Sequence, residues 1–219
     1  MSKVKLNYNG AEHGVWYADD WIQSHVLSGT FFEQALLEQV KERVTDFTTV
    51  IDIGANVGNH SYFFKNICNA GTVHAFEPVP FNCIQCRKNL PNDFVYEMAL
   101  SNYNGLTSIE NHHPYNSGTG RMVSTEGTTT VNTFDSLNIV DVTFVKIDVE
   151  GEELAVLEGM RETLLKYKPE MLLELHPPVT IQRVMEVLPV DYTFENLQGI
   201  QEEDIDSKTV CNYFLKPRQ

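Results

Sequence analysis

The chain has 219 residues, 42% of them apolar, and a formal charge of −14 from 30 acidic and 16 basic side chains. That length and apolar content suffice for the core of one α/β domain, so residues 1–219 are expected to form a single domain. The carboxylate excess, with no dense run of lysine or arginine, excludes nucleic acid as a partner and disfavours an acidic substrate, because a polyanion is repelled at long range.

Met1-Ser2-Lys3-Val4-Lys5-Leu6-Asn7 leads into polar sequence without an apolar h-region, and no stretch approaches the ~20 apolar residues of a membrane span. A cytoplasmic protein with no membrane partner is expected. Residues 1–29, with Trp16, Tyr17 and Trp21 among polar neighbours, predict a short hairpin or arm and a loop. Their rings either cover a ligand or pack as a satellite cluster. Gly29-Thr30-Phe31-Phe32-Glu33 has capping-box spacing, with Thr30 at N-cap and Glu33 at N3, and Phe31, Leu36, Leu37, Val40 and Val44 follow at helical spacing.

From Val50 onward, apolar runs alternate with periodic segments as βαβ units, which implies a parallel sheet with helices on both faces. Strand 50–53 precedes a helix to about Cys68, closed by Gly71; strand 72–76 precedes a helix from Pro80 to about Leu90, closed by Pro91. Strand 93–98 comes next. Residues 101–135 break the rhythm with a turn at Asn102-Tyr103-Asn104-Gly105, a loop-like stretch containing His112-His113, and β-branched Thr128 to Val131. An inserted hairpin is predicted there, with the two histidines solvent-exposed. Strand 142–148, helix 152–165, strand 170–175, helix 179–188 and an antiparallel hairpin of 190–195 with 209–216 complete the chain. The cysteines Cys68, Cys83, Cys86 and Cys211 lack a disulfide framework and are expected as reduced thiols; Cys83-Ile84-Gln85-Cys86 is half a zinc or redox site without its second half.

The most informative stretch is Thr49-Val50-Ile51-Asp52-Ile53-Gly54-Ala55-Asn56-Val57-Gly58-Asn59, a buried strand running into a glycine-permitted turn and a helix start. Gly54 and Gly58 lack side chains where the backbone bends and a ligand comes close, and the helix points its free N–H groups at that ligand. A dinucleotide fingerprint has a second glycine where Asn56 stands, which argues against an NAD-dependent oxidoreductase. The carboxylate of Asp52 suits an ammonium or sulfonium better than a phosphate. Thr72-Val73-His74-Ala75-Phe76-Glu77-Pro78 ends in an acid 25 positions after Asp52, where a carboxylate can accept both ribose hydroxyls of an adenosine.

Asp52, Glu77, Met98, Asp148 and Glu174 all fall at the carboxyl ends of strands, where an open α/β sheet holds its ligand. Carboxylates buried there without positive partners are costly, so a ligand is expected to supply the charge. Asp148 and Glu150 flank Val149 and point to one side, Lys146 shares that parity, and Glu174 and His176 repeat the arrangement after the next strand. The plain alternatives are an acidic cluster favourable to a helix dipole and a loop histidine before Pro177-Pro178.

In order and spacing, Ile51-Asp52-Ile53-Gly54-Ala55-Asn56-Val57-Gly58, Phe76-Glu77-Pro78, Val145-Lys146-Ile147-Asp148-Val149-Glu150-Gly151-Glu152 and Leu173-Glu174-Leu175-His176 resemble the FkbM-type S-adenosylmethionine-dependent methyltransferases. The likeness covers roughly residues 31–177. It implies a three-layer, Rossmann-like class I methyltransferase fold, mostly parallel with a C-terminal antiparallel hairpin. It also implies S-adenosyl-L-methionine as cofactor and a methyl acceptor that is a hydroxyl of a sugar or small natural product. An N-methyltransferase and a non-catalytic S-adenosylmethionine-binding module are the alternatives.

On this resemblance Glu77, followed by Pro78, grips the ribose, and Met98 and Ala99 contact adenine. The backbone at Gly54 and Ala55 borders the amino acid tail, Gly58 is a further cofactor-binding residue, Asp52 helps orient the tail's ammonium, directly or through water, and Asn56 and His60 reach its carboxylate. Asp148 and Glu150 line the methyl site, with Asp148 also touching the cofactor. His176 is expected as base, oriented by Glu174 or Glu150. No metal is assigned, although two carboxylates and a histidine can equally hold a divalent cation.

Overall fold

The computed structural model of the protein describes residues 2–17, 29–111, 120–197 and 209–218. The N-terminal hairpin is formed by β1 (Ser2–Tyr8) and β2 (Ala11–Tyr17), joined through Asn9 and Gly10, both at positive φ, a region these two residue types tolerate. Its buried Leu6, Tyr8 and Val15 join the core beside Phe31 and Phe63. The backbone of Trp16 exchanges hydrogen bonds with the Asn89 carboxamide, at 2.7 and 2.9 Å, and Lys88 lies 5.0 Å over the Trp16 ring. The Trp16 side chain is half-buried. Trp21 and the Tyr17 side chain lie outside the described residues.

α1 spans Gln34–Arg43 and buries Leu37 and Val40. The capping box expected on Thr30 is displaced: Glu33 occupies the N-cap position in left-handed conformation, and Gln34 Oε1 accepts from the Phe31 N–H at 3.3 Å. The cause is tertiary, because the Asn59 side chain holds both the N–H and the carbonyl of Phe32, at 3.2 and 3.0 Å.

The βαβ units follow as β3 (Thr49–Ile53), α2 (Asn59–Asn66), β4 (Thr72–Phe76), α3 (Pro80–Asn89) and β5 (Phe94–Tyr96). Asn89 Nδ2 also donates to the Val57 carbonyl at 2.8 Å, so the end of α3 joins the N-terminal hairpin to the turn that follows β3. The insertion at 101–135 forms a separate three-stranded sheet of β6 (Ala99–Leu100), β7 (Gly105–Asn111) and β8 (Gly120–Asn132), with β7 and β8 antiparallel as a hairpin. The expected strand 93–98 is shorter than its apolar run, covering Phe94–Tyr96, and Ala99 and Leu100 just beyond it pair with Val131 and Asn132 of the inserted sheet. His112 and His113 lie outside the described residues.

β9 (Phe144–Ile147) returns to the main sheet, followed by α4 (Glu153–Gly159), α5 (Arg161–Tyr167), β10 (Glu170–Leu175), α6 (Ile181–Val187), β11 (Tyr192–Asn196) and β12 (Cys211–Pro217). The helix expected over 152–165 is two helices, separated at Met160, whose φ of −118° is not helical. The strand order is β5-β4-β3-β9-β10-β12-β11, parallel from β5 to β10, with β12 antiparallel to both neighbours. The order reverses between β3 and β9, which opens a crevice at their carboxyl ends.

Strand alternation divides the core. Val50, Phe144, Leu172 and Phe214 pack under α1 and α2 with Phe63 and Phe64, whereas Ile51, Ile53, Val145, Ile147, Leu173 and Leu215 pack against α4 and α5 with Val156, Leu157 and Leu164. Asp52, Lys146 and Glu174 share the parity of the first set. Register sets Asp52 beside Lys146 on β3 and β9, and Glu174 beside Asn212 on β10 and β12. Among the described residues, no helix is long and apolar enough to cross a membrane. Cys68, Cys83, Cys86 and Cys211 are free thiols.

Candidate functional site

The turn after β3 is shaped by its protein neighbours. Gly54 has φ 77°, and a Cβ there would overlap the carbonyl oxygen of Asp148; Gly58 has φ 85°, and a Cβ would lie 2.9 Å from Cys86 Sγ. Both glycines are needed, and at Gly58 the close approach is to Cys86 of α3. Asn56 takes the positive φ, 51°, that the missing glycine would have taken, a conformation Asn adopts more readily than most residues. Its N–H donates to Glu77 Oε2 at 2.9 Å.

Lys146 stands behind this turn, 3% exposed. Its Nζ lies 3.2 Å from Asp52 Oδ1 and 3.3 Å from Asp148 Oδ2, and donates to the Gly54 carbonyl at 2.8 Å. Burial alone would push the ammonium down, but Asp52, Asp148 and Glu174 hold it above the ordinary lysine value. Asp52 is fully buried, with its second oxygen accepting a short hydrogen bond from Ser61 Oγ. The charge expected from a ligand is therefore supplied internally, and Asp52 lines neither of the clefts described below. Asp52 and Gly58 are both buried, Asp52 against Lys146 and Ser61 and Gly58 against Cys86.

Asp148 and Glu174 form a carboxyl–carboxylate pair. Burial would raise Asp148, but Lys146 and a hydrogen bond from Glu174 hold it below the usual range, while burial and the Asp148 charge push Glu174 far above it. Glu174 thus keeps a proton and donates it to Asp148, as two adjacent buried carboxyls must. Donor atoms of Asp148, Glu174 and His176 lie within 4.8 Å of one another. A divalent ion placed there would compete with Lys146 and with the shared proton.

His176 is oriented by a residue that sequence parity did not select. Its Nδ1 lies 2.9 Å from Oε1 of Glu153, the first residue of α4 and fully buried, whereas Glu150 Oε2 stands 3.5 Å from Nε2 and Glu174 is not its orienting partner. A carboxylate at Nδ1 selects the tautomer with its proton there and leaves Nε2 to accept. Burial would lower the imidazole, but Glu153, Glu150 and Asp148 together raise it. Glu150 reaches this position through φ 56°, followed by Gly151 at φ 114°, and the same Oε2 that faces His176 is 3.7 Å from Arg121 on β8. The turn, rather than strand period, brings Glu150 to the side of Asp148. The only available signal for Glu153 was its place in the acidic run after β9.

Two clefts meet over the turn. The first is lined by Phe76, Glu77, Pro78, Met98 and Ala99, with Ile109 and Met122 of the hairpin across from them. The second contains Glu33, Ala55, His60, Lys146, Glu174 and His176. Gly54, Asn56, Asp148 and Glu150 line both. Glu77 accepts from the N–H groups of Asn56 and Val79, each at 2.9 Å, and from Asn82 Nδ2 at 3.2 Å. Burial still pushes it up to about 7. Ile109, Met122, Glu33 and Glu153 are site residues that the sequence motifs did not contain.

A methyltransferase FkbM domain model matches residues 52–197. The chain is 30% identical over 166 residues to hexuronic acid methyltransferase AglP of Haloferax volcanii, covering 71% of this chain and 67% of that protein. Among solved structures, methyltransferase FkbM from Methylobacillus flagellatus KT aligns with a TM-score of 0.53 at 20% identity, over 85% of this chain and 47% of that one, so this chain spans about half of its length. A TehB-like SAM-dependent methyltransferase from Corynebacterium glutamicum aligns with a TM-score of 0.52 at 10% identity, over 90% and 94% of the two chains. These superpositions show the fold, a Rossmann-like class I methyltransferase architecture.

Replacing Lys146 by Met should destabilise the protein by about 3–5 kcal/mol, the cost of stranding buried carboxylates without their cation. Urea unfolding checks this, and the Asp52→Asn/Lys146→Met double variant should lose clearly less than the sum of the single losses. Strict additivity would show that the two groups do not interact.

Proposed function

The chain belongs to the FkbM methyltransferase family, and from that premise we propose that it transfers the methyl group of S-adenosyl-L-methionine to a hydroxyl oxygen of a sugar or small natural-product acceptor. The residues fit this cofactor. The first cleft offers a buried carboxylate, Glu77, beside the apolar faces of Met98, Ile109 and Met122, which suits a ribose and an adenine. The second is rich in carboxylates, which suits a sulfonium and an ammonium. When bound, the cofactor supplies an electrophilic methyl carbon.

The chain's own contribution begins with placement, since alignment of donor and acceptor is worth up to ~7–11 kcal/mol in such a displacement. Gly54, Ala55 and Asn56 border the tail, and Asp148 and Glu150, which line both clefts, border the point of transfer. The observation that carries the proposal is the Glu153–His176 pair. With Nδ1 held at 2.9 Å by Glu153, Nε2, which faces Glu150 at 3.5 Å, is the nitrogen left to take the proton that a hydroxyl must lose. A charged amine acceptor would also need a base, but a neutral amine would not, so a carboxylate-backed histidine favours oxygen. The sugar acceptor is supported by the likeness to a hexuronic acid methyltransferase.

Calorimetric titration with S-adenosylhomocysteine, with NADH as control, tests the cofactor. The wild-type protein should bind only the former, and Glu77→Ala should weaken it at least ~10-fold, the loss expected for hydrogen bonds to a charged group. Unchanged affinity would remove Glu77 from the ribose. His176→Ala should lower turnover by ~10²–10⁴ while affinity for the cofactor product stays within about twofold. Because His176 acts as base only when neutral and its pKa is raised by its acidic neighbours, the rate should climb with pH through a limb above the ordinary histidine value. Glu153→Gln should move that limb to lower pH. Activity should persist in EDTA; abolition reversed by Mg²⁺ would reassign Asp148, Glu174 and His176 as metal ligands.

A further inference from the structure

The second cleft contains an acid that neither the motifs nor the catalytic pair employs. Glu33 stands at the start of α1 with φ 54° and ψ 35°, and its side chain makes no cap to the helix. A left-handed conformation in a residue with a Cβ costs of order 1–3 kcal/mol and persists where its surroundings impose it. Here they do. The buried Asn59 side chain clamps both backbone polar groups of Phe32, at 3.2 and 3.0 Å, and the Phe32 ring stacks on His60 with centroids 6.5 Å apart. Asn59 and His60 open the helix that follows the glycine turn, so the bend at Glu33 is fixed relative to Gly54 and Asn56.

The carboxylate so placed lies 3.2 Å from His60 Nε2, its side chain is 30% exposed, and it lines the same cleft as Gly54, Ala55 and Asn56. The neighbouring acids are engaged elsewhere. Asp52 is held by Lys146 and Ser61, Asp148 by Lys146, and Glu150 lies between His176 and Arg121. Among the described residues, no lysine or arginine makes an ion pair with Glu33.

We propose that Glu33, clamped by Asn59, is the residue that receives the α-ammonium of the cofactor's amino acid tail, the role that Asp52 cannot fill. This rests on the assignment of S-adenosylmethionine to the crevice. It places a specificity residue for the tail outside the glycine motif, on the segment that precedes β3. Exchange of the ion pair for a neutral hydrogen bond loses roughly 10- to 100-fold in affinity.

The test compares two ligands by calorimetry: S-adenosylhomocysteine, which carries the tail, and 5′-methylthioadenosine, which lacks it. Glu33→Gln should weaken the first roughly 10- to 100-fold and leave the second within about twofold. Glu33→Gly, which removes the carboxylate and relieves the positive φ, should lose the same factor for the first ligand while melting no lower than wild type. Retained affinity for S-adenosylhomocysteine in Glu33→Gln overturns the assignment. So does equal weakening of both ligands, which would mark a purely structural residue. Binding of neither ligand by the wild-type protein overturns the cofactor assignment itself, and this inference with it.

Discussion

Lys146 puts one buried positive charge where the ends of β3 and β9 meet the glycine turn, and the site is arranged around it. Its attraction to Asp52 at 3.2 Å is about 5 kcal/mol at an effective dielectric of ~20. Removing each ion from water costs several kcal/mol, so the pair adds little net stability. What it adds is position. The same ammonium holds the Gly54 carbonyl and the Asp148 carboxylate, which ties the first strand's turn to the exit of the fourth parallel strand across the point where strand order reverses.

From that anchor the acidic residues take distinct states. Asp148, facing Lys146, is held ionised; Glu174, one strand further and without a cation of its own, keeps a proton and donates it to Asp148. Glu153 and Glu150 then face His176 from opposite ring nitrogens. A crevice with this many carboxyl groups avoids uniform repulsion because one ammonium, one shared proton and one imidazole separate them. The first cleft follows a different logic, with apolar side chains from the inserted hairpin facing the Glu77 end of β4. The insertion thus completes a cleft wall that the central sheet alone would leave open.

The sequence's periodicity carried most of the architecture, because alternation and helical spacing are local properties. The parallel strands, the closing hairpin of β11 and β12 and the hairpin of β7 and β8 follow from them, and Asp148, Glu174 and His176 converge as strand-end parity requires. The failures were at places where a distant partner overrides a local rule. Thr30 and Glu33 have the spacing of a capping box, yet Asn59, far along the chain, fixes the backbone between them.

Sequence alone was enough to establish a doubly covered parallel sheet, a glycine turn and acids at the strand ends, since each depends on residues near one another in the chain. The partners of those acids were decided only in three dimensions. Asp52 lies beside Lys146 because β3 and β9 pair in one register, and a shift of one residue would turn either side chain to the opposite face. Glu153 rather than Glu150 or Glu174 orients His176 because the positive-φ turn at Glu150 and Gly151 aims α4 so that its first side chain is buried beneath the imidazole. Charge compensation is a property of neighbours in space, and neighbours in space are what register and helix placement supply.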